Sequence, residues 1–192
     1  MPDPNPTALA FLLSRRSRPA KTLTGPAPDR TALAPILEAG LRVPDHGKLE
    51  PWRLIVLEGT APARLGEIAL RRGAEAGLPQ DKAEKSAVMF SAAPLVIAVV
   101  SAPVPSEKIP QVEQVLSAGA VCLSLVNAGL AAGWGANWLT GWTATDPGFL
   151  AEALDLPVGQ TIAGYIVFGT ETTPPPERPR PDPSAKVAWI SA

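Results

Sequence analysis

Two clusters in this chain have the composition of binding sites. The first is Arg15-Arg16-Ser17-Arg18, with Lys21 close behind. Guanidinium groups present a planar fork of donors that matches phosphate, and a serine adds a hydroxyl and a backbone N–H. A plainer reading is a solvated basic helix end, where cations are favoured by the helix dipole. The second cluster is Arg42-Val43-Pro44-Asp45-His46-Gly47-Lys48-Leu49-Glu50-Pro51-Trp52. It packs two prolines, a lone His, Asp, Gly, Lys, Glu and Trp into the stretch where a helix should hand over to a strand. Loops of this kind hold binding groups on a rigid frame. The plainer reading is a helix-to-strand turn in which His46 satisfies a backbone group. Cys122 lies in an apolar helical stretch and reads as core.

Several other chemistries are excluded by what is missing. One Cys and one His supply neither a disulfide framework nor the ligands of an ordinary zinc site, so no metal is expected. The phosphate-loop pattern G-x-x-x-x-G-K-[ST] is absent. The run Gly133-Trp134-Gly135-Ala136-Asn137-Trp138 lacks the third glycine of a dinucleotide turn and follows a helix, the reverse of the Rossmann order. A serine hydrolase would need His46 as its base, and no G-x-S-x-G elbow is present. With 17 Lys and Arg against 18 Asp and Glu, the net charge of -1 gives no reason to expect a nucleic-acid partner.

The elements that must position these clusters follow from periodicity and punctuation. A first helix is expected from about Thr7 to Ser14, capped in the Asn5-Pro6-Thr7 region. A second should begin near Asp29 and end before Pro44, with Pro35 forcing a kink or a late start. Trp52 to Glu58 reads as a strand, followed by helices near 61–76 and 80–90. Leu95 to Ser101 is rich in β-branched residues and reads as a buried strand. Pro110 opens a long helix whose second half, Ala118 to Ala132, is small or apolar on every face and is expected to be central and buried. Gly133 stops it. Gly135 to Thr140 is a short strand or strand-to-loop segment. Asp146-Pro147 starts a last helix, and Thr161 to Thr170 is a strand.

Beyond it the proline-rich segment P-P-P-E-R-P-R-P-D-P must be extended. It leads to the apolar Val187-Ala188-Trp189-Ile190, which needs a surface to dock on, either its own domain or a second subunit. About four strands interleaved with helices, without strict βαβ alternation, imply an α+β fold with a mixed or mostly antiparallel sheet. Ala118 to Gly135 is interrupted by four glycines and Asn127, which favours a core helix over a membrane span. The apolar run Ala8 to Leu13 precedes the arginines, the wrong order for a secretory signal. The expected setting is cytoplasmic, with no membrane partner.

Four motifs in order resemble the nitroreductase family, in particular its small YdjA-type branch. They are R-R-S-R, then A-G-L-R-V-P-D-H-x-x-x-x-P-W-R, then S-A-G-A-V-x-x-x-L-x-N-A-G-L-A-A-G-W-G-A-N-W, then G-T followed by R-P-R-P. The resemblance spans roughly residues 7–190. It implies a nitroreductase-like α+β fold forming one FMN-binding domain over residues 1–192, with 171–192 as an extended C-terminal arm. Two subunits would intertwine as a homodimer with FMN at each of two interface sites. By position, Arg15, Arg16 and Ser17 would hold the FMN phosphate and ribityl chain. Arg42 and His46 would contact the flavin from the opposite subunit. Trp138, Leu139 and Thr140 would line the isoalloxazine, and Arg178 or Arg180 would complete the phosphate clamp. Residues 128–133 match a stretch tied to nicotinamide-nucleotide binding in relatives, although their own pattern is that of a buried helix. The loop departs from the P-S-x-x-N-x-Q-P-W of larger nitroreductases: it has Asp45-His46 in the serine region, Gly47, and Glu50 before Pro51.

The activity so implied is hydride transfer from NADH or NADPH, through FMN, to a nitroaromatic, quinone or similar small-molecule acceptor by a ping-pong mechanism. The chemistry would lie on the flavin, so no catalytic side chain is expected. Two rival readings use the same residues: a non-catalytic flavin-binding or storage protein, and a flavin-free interaction module. Reduction by NADH or NADPH separates the first rival, and flavin content separates the second.

Overall fold

A computed structural model describes residues 3–191; residues 1, 2 and 192, the outermost positions of the expected domain and arm, lie outside the described part. The helices are α1 (Pro6–Ser14), α2 (Arg30–Gly40), α3 (Ala61–Glu75), α4 (Gln80–Ser91), α5 (Gln111–Ala131) and α6 (Pro147–Leu154). The strands are β1 (Leu23–Thr24), β2 (Trp52–Leu57), β3 (Leu95–Ser101), β4 (Gly135–Leu139) and β5 (Thr161–Glu171). All strand pairings are antiparallel: β2 with β3, β3 with β5, and β4 and β1 in succession along the other edge of β5. The fold is therefore α+β with a five-stranded antiparallel sheet.

The sheet is covered on both faces, which explains the unbroken apolar run of β3. Every β3 residue is buried. Val96, Ala98 and Val100 point into one core with Leu65, Phe90, Phe149 and Tyr165, from α3, α4, α6 and β5. Leu95, Ile97 and Val99 point into the other, with Leu33 and Ile36 of α2 and Val121, Cys122 and Leu125 of α5. The two-residue period of a strand thus feeds two separate cores. Start signals act where they were read. Asn5, Asp29 and Asp146 cap α1, α2 and α6 by accepting from Ala8, Ala32 and Phe149 backbone N–H groups.

Three expectations change. Pro35 does not delay α2, which begins at Arg30 and runs through it; the residue before the proline stays helical, and one ladder bond is lost rather than the helix. The sheet has a fifth strand, β1, too short at two residues to leave a periodic signal. The second half of α5 is not buried all round. Val121, Cys122, Leu125 and Val126 are buried, but Leu123 is exposed, as are Val112, Val115 and Leu116 earlier in the helix. At 21 residues α5 is long and apolar enough to cross a membrane, yet one side of it packs on the sheet as the central helix of that core.

Candidate functional site

The first cluster runs along the free edge of β4. Arg18 N–H donates to Ala136 O at 2.9 Å, and Asn137 Nδ2 donates to Arg18 O at 2.7 Å. An ion pair from Arg18 to Glu171, 3.4 Å, ties the same segment to the end of β5. Arg15, Arg16 and Ser17 are thereby held next to the strand that carries Trp138 and Leu139, with Thr140 directly after it. Sequence reasoning missed Asn137 and Glu171 as the anchors. Their partners are far along the chain, and no local pattern marks them.

Within the cluster the donors are only partly used. Arg15 Nη2 donates to Ser17 Oγ at 2.9 Å, and Arg16 Nη1 reaches Ser17 O at 3.5 Å. The Nε atoms of both arginines are buried without a partner. Unpaired buried donors are costly, by about 1–3 kcal/mol each and more for charged groups. Burial, and then the neighbouring charges of Arg180 and Arg16, lower the pKa of Arg15 below the ordinary arginine value. An arginine of the C-terminal arm therefore lies close enough to Arg15 to raise the local positive potential. It is Arg180, held by Glu177 through Nε at 3.0 Å and Nη2 at 2.9 Å. Glu177 also feels Arg16. Arg178 is exposed, and its side chain makes no hydrogen bond or ion pair among the described residues. The arrangement can serve as an anion cradle: clustered cations, orphaned N–H donors, and one carboxylate that an incoming anion would have to displace.

Trp138 is the exposed side of the neighbouring strand, with its indole N–H donating to Ala163 O at 3.2 Å. The tight approach is allowed by Gly164: a Cβ there would lie 2.1 Å from the indole nitrogen. Leu139 is half-buried and Thr140 exposed. An aromatic face and an aliphatic side chain beside an anion cradle can take a flat, apolar ring system attached to a phosphate.

The second cluster sits elsewhere, across the N-terminal half of α5. Arg42 is exposed just past the end of α2. The loop after it is strained at Lys48 and Glu50, which have positive φ of 53° and 47°, while Gly47 takes its φ of 72° freely. The Asp45 carboxylate offsets this by accepting from Leu49 N–H at 3.2 Å and Glu50 N–H at 2.8 Å. Ser117 Oγ on α5 donates to Pro44 O at 2.7 Å and accepts from Trp52 Nε1 at 3.0 Å. His46 Nδ1 lies 2.7 Å from Glu113 Oε2. No hydrogen bond or ion pair among the described residues joins this cluster to Arg15, Arg16 or Ser17. Within one chain the sequence-predicted site residues thus form two groups, not one.

The fold places this chain among nitroreductase-like proteins. The solved nitroreductase-like family protein from Bacillus cereus superposes with a TM-score of 0.80 over the whole of both chains, at 22% identity. An FMN-dependent nitroreductase from Clostridium difficile superposes with a TM-score of 0.67, over 94% of this chain and 98% of that one, at 18% identity. In sequence, the pattern of the nitroreductase family matches residues 12–170. The Escherichia coli K12 protein named "Putative NAD(P)H nitroreductase YdjA" is 37% identical over 85% of this chain and 87% of its own. The chain belongs to the nitroreductase family, and it is an oxidoreductase.

Proposed function

We propose that the protein is an FMN-dependent NAD(P)H oxidoreductase acting on small-molecule acceptors such as nitroaromatics or quinones, as a homodimer. The observation that carries this reading is the convergence of Arg15, Arg16 and Arg180 with orphaned buried guanidinium N–H groups beside Trp138 and Leu139. FMN fits that donor set, since it joins one phosphate to one flat ring system. Arg15, Arg16, Ser17 and Arg180 would hold the phosphate end; Trp138, Leu139 and Thr140 would border the ring. When bound, FMN supplies a two-electron carrier between NAD(P)H and the acceptor, in two half-reactions of a ping-pong cycle.

The chain's own contribution is to bind, orient and exclude water. The half-buried Arg15 and Arg16 place positive charge where an anion needs it, and the anion would take the place of the Glu177 carboxylate on Arg180. The separation of Arg42 and His46 from the arginine cradle supports a site completed by a second copy, with these two residues of one subunit serving the cradle of the other. The C-terminal arm, 171–192, would wrap the partner.

The test is the visible absorption spectrum of the purified protein, with heat-released cofactor run against FMN, FAD and riboflavin. Stoichiometric FMN, bleached by NADH or NADPH under anaerobic conditions and restored by a quinone, is the expected result. FMN that is bound but not reduced would make the protein a flavin carrier. A colourless protein that fails to take up FMN would overturn the proposal.

A further inference from the structure

His46 is the only histidine in the chain, and among the described residues its ring is engaged on one side only. Nδ1 lies 2.7 Å from the carboxylate of Glu113, 67 residues away in sequence. At that distance, with the acceptor a carboxylate, the proton belongs on Nδ1, which leaves Nε2 on the far edge of the ring. Pro44, His46, Glu113, Leu116, Ser117 and Ala120 enclose an open depression of about 350 Å³ along the exposed side of α5. The pair therefore forms part of the wall of an apolar surface hollow.

A carboxylate in the first turn of a helix is favoured by the helix dipole alone, so the position of Glu113 needs no partner. Its geometry does. The backbone just after His46 is held in a costly conformation at two non-glycine residues of positive φ, Lys48 and Glu50. It is pinned by Asp45 from inside the loop and by Ser117 from α5. Local strain of this kind persists only where the surroundings over-determine it. These restraints hold the backbone on either side of His46, and Glu113 is the one that reaches the imidazole itself.

We propose that Glu113 is a positioning residue for His46: it keeps the proton on Nδ1 and the ring fixed at the hollow, so that Nε2 is the ring nitrogen offered to what binds there. The pair itself follows from this chain's geometry. That its ligand is the flavin site of a second subunit rests on the function proposed above. Free imidazole side chains in water favour the opposite tautomer, with the proton on Nε2, so the pair has a signature of its own.

The test uses that signature. In FMN-free protein labelled with ¹⁵N histidine and kept in alkaline buffer, His46 gives a single pair of ring nitrogen signals. The expected result is a protonated Nδ1 in the wild type. Glu113→Ala should shift the proton to Nε2, and Glu113→Gln, whose amide oxygen still accepts, should restore it to Nδ1. In FMN-loaded enzyme, Glu113→Ala should lower acceptor kcat by about 10-fold or more, the scale expected when a positioned group loses its orientation, with FMN content unchanged and Glu113→Gln recovering most of it. A wild-type Nδ1 without a proton overturns the proposal. So does a tautomer indifferent to Glu113→Ala, a Glu113→Gln variant that behaves like alanine, or unchanged turnover after the tautomer has moved. Failure to bind FMN would sink the proposed function while leaving the nitrogen spectra readable, so the two failures are distinguishable.

Discussion

Arg178 and Arg180 are two residues apart on the same arm and have opposite surroundings. Arg180 lies near Arg15, with Glu177 as its counter-charge; the side chain of Arg178 makes no hydrogen bond or ion pair among the described residues. Charge-assisted hydrogen bonds to a partly buried anion are worth about 1.5–3 kcal/mol. Arg180→Ala should therefore weaken FMN binding about 10- to 100-fold, and Arg178→Ala by less than about 3-fold, measured by flavin fluorescence titration. Equal effects would mean that the arm moves when FMN binds. Cys122 gives a second residue-scale expectation. Burial between α5 and the sheet pushes its thiol up to about 12, and burial also raises Tyr165. The unfolded thiol ionises near 9, so below that pH folded and unfolded forms are both neutral and no stability is lost. As pH rises from about 9 towards 12, only the unfolded thiolate forms, and the unfolded state gains. Urea midpoints should fall across that window, while Cys122 in the native protein stays inert to thiol reagents at pH 8.5. At this scale the sequence singles out Arg15-Arg16-Ser17, because three adjacent residues of these types make a local pattern that suggests an anion site. Glu113 and Glu177 were not legible in the same way. Glu113 answers a histidine 67 positions away, and Glu177 reads as one more charge in a proline-rich tail.

At the scale of elements, the helix–sheet contacts depend on missing side chains. Gly129 faces Phe168, and an added Cβ would lie 2.2 Å from its ring. Phe168 is fully buried and cannot swing away. Overpacking costs about 1–3 kcal/mol, against a gain of about 0.5–1 kcal/mol from replacing glycine inside a helix. Gly129→Ala should then destabilise the protein by about 1–2 kcal/mol, read as a lower urea midpoint at unchanged slope. An unchanged or raised midpoint would mean that α5 can lift off β5 without penalty. Most elements were legible because their caps and periods are local: Asn5, Asp29 and Asp146 all cap where the sequence places helix starts. The exposed stripe of α5 was not. Val112, Val115, Leu116 and Leu123 share the apolar character of the buried side, and hydropathy does not distinguish a face packed on its own sheet from one left for another chain.

At the scale of the molecule, three apolar surfaces have no cover among the described residues of one chain. α1 reads P-T-A-L-A-F-L-L-S and buries none of its residues. A nine-residue helix is too short to stand in water without a packed face. The side of α5 that carries Val112, Leu116 and Leu123 is open. Near its tip the arm carries Trp189 and Ile190, 90% and 94% exposed. Each aliphatic side chain of this size left in water forgoes about 1.5–3 kcal/mol of burial, and an indole forgoes more. These surfaces, with the two separated halves of the site, support the proposed two-chain assembly. Sedimentation velocity of the full chain at micromolar concentration should show a dimer. Removing residues 174–192 should give monomer and lose flavin, but that deletion also takes Arg180. The double variant Trp189→Ser, Ile190→Ser separates the causes, because it keeps every arginine. It should weaken the dimer by about 10-fold or more, from the lost burial of two side chains, and flavin affinity should fall in step with dissociation, not independently of it. A full chain that sediments as a monomer with FMN firmly bound would refute a site shared between subunits. It would also require Arg42 and His46 to serve some other purpose than the flavin.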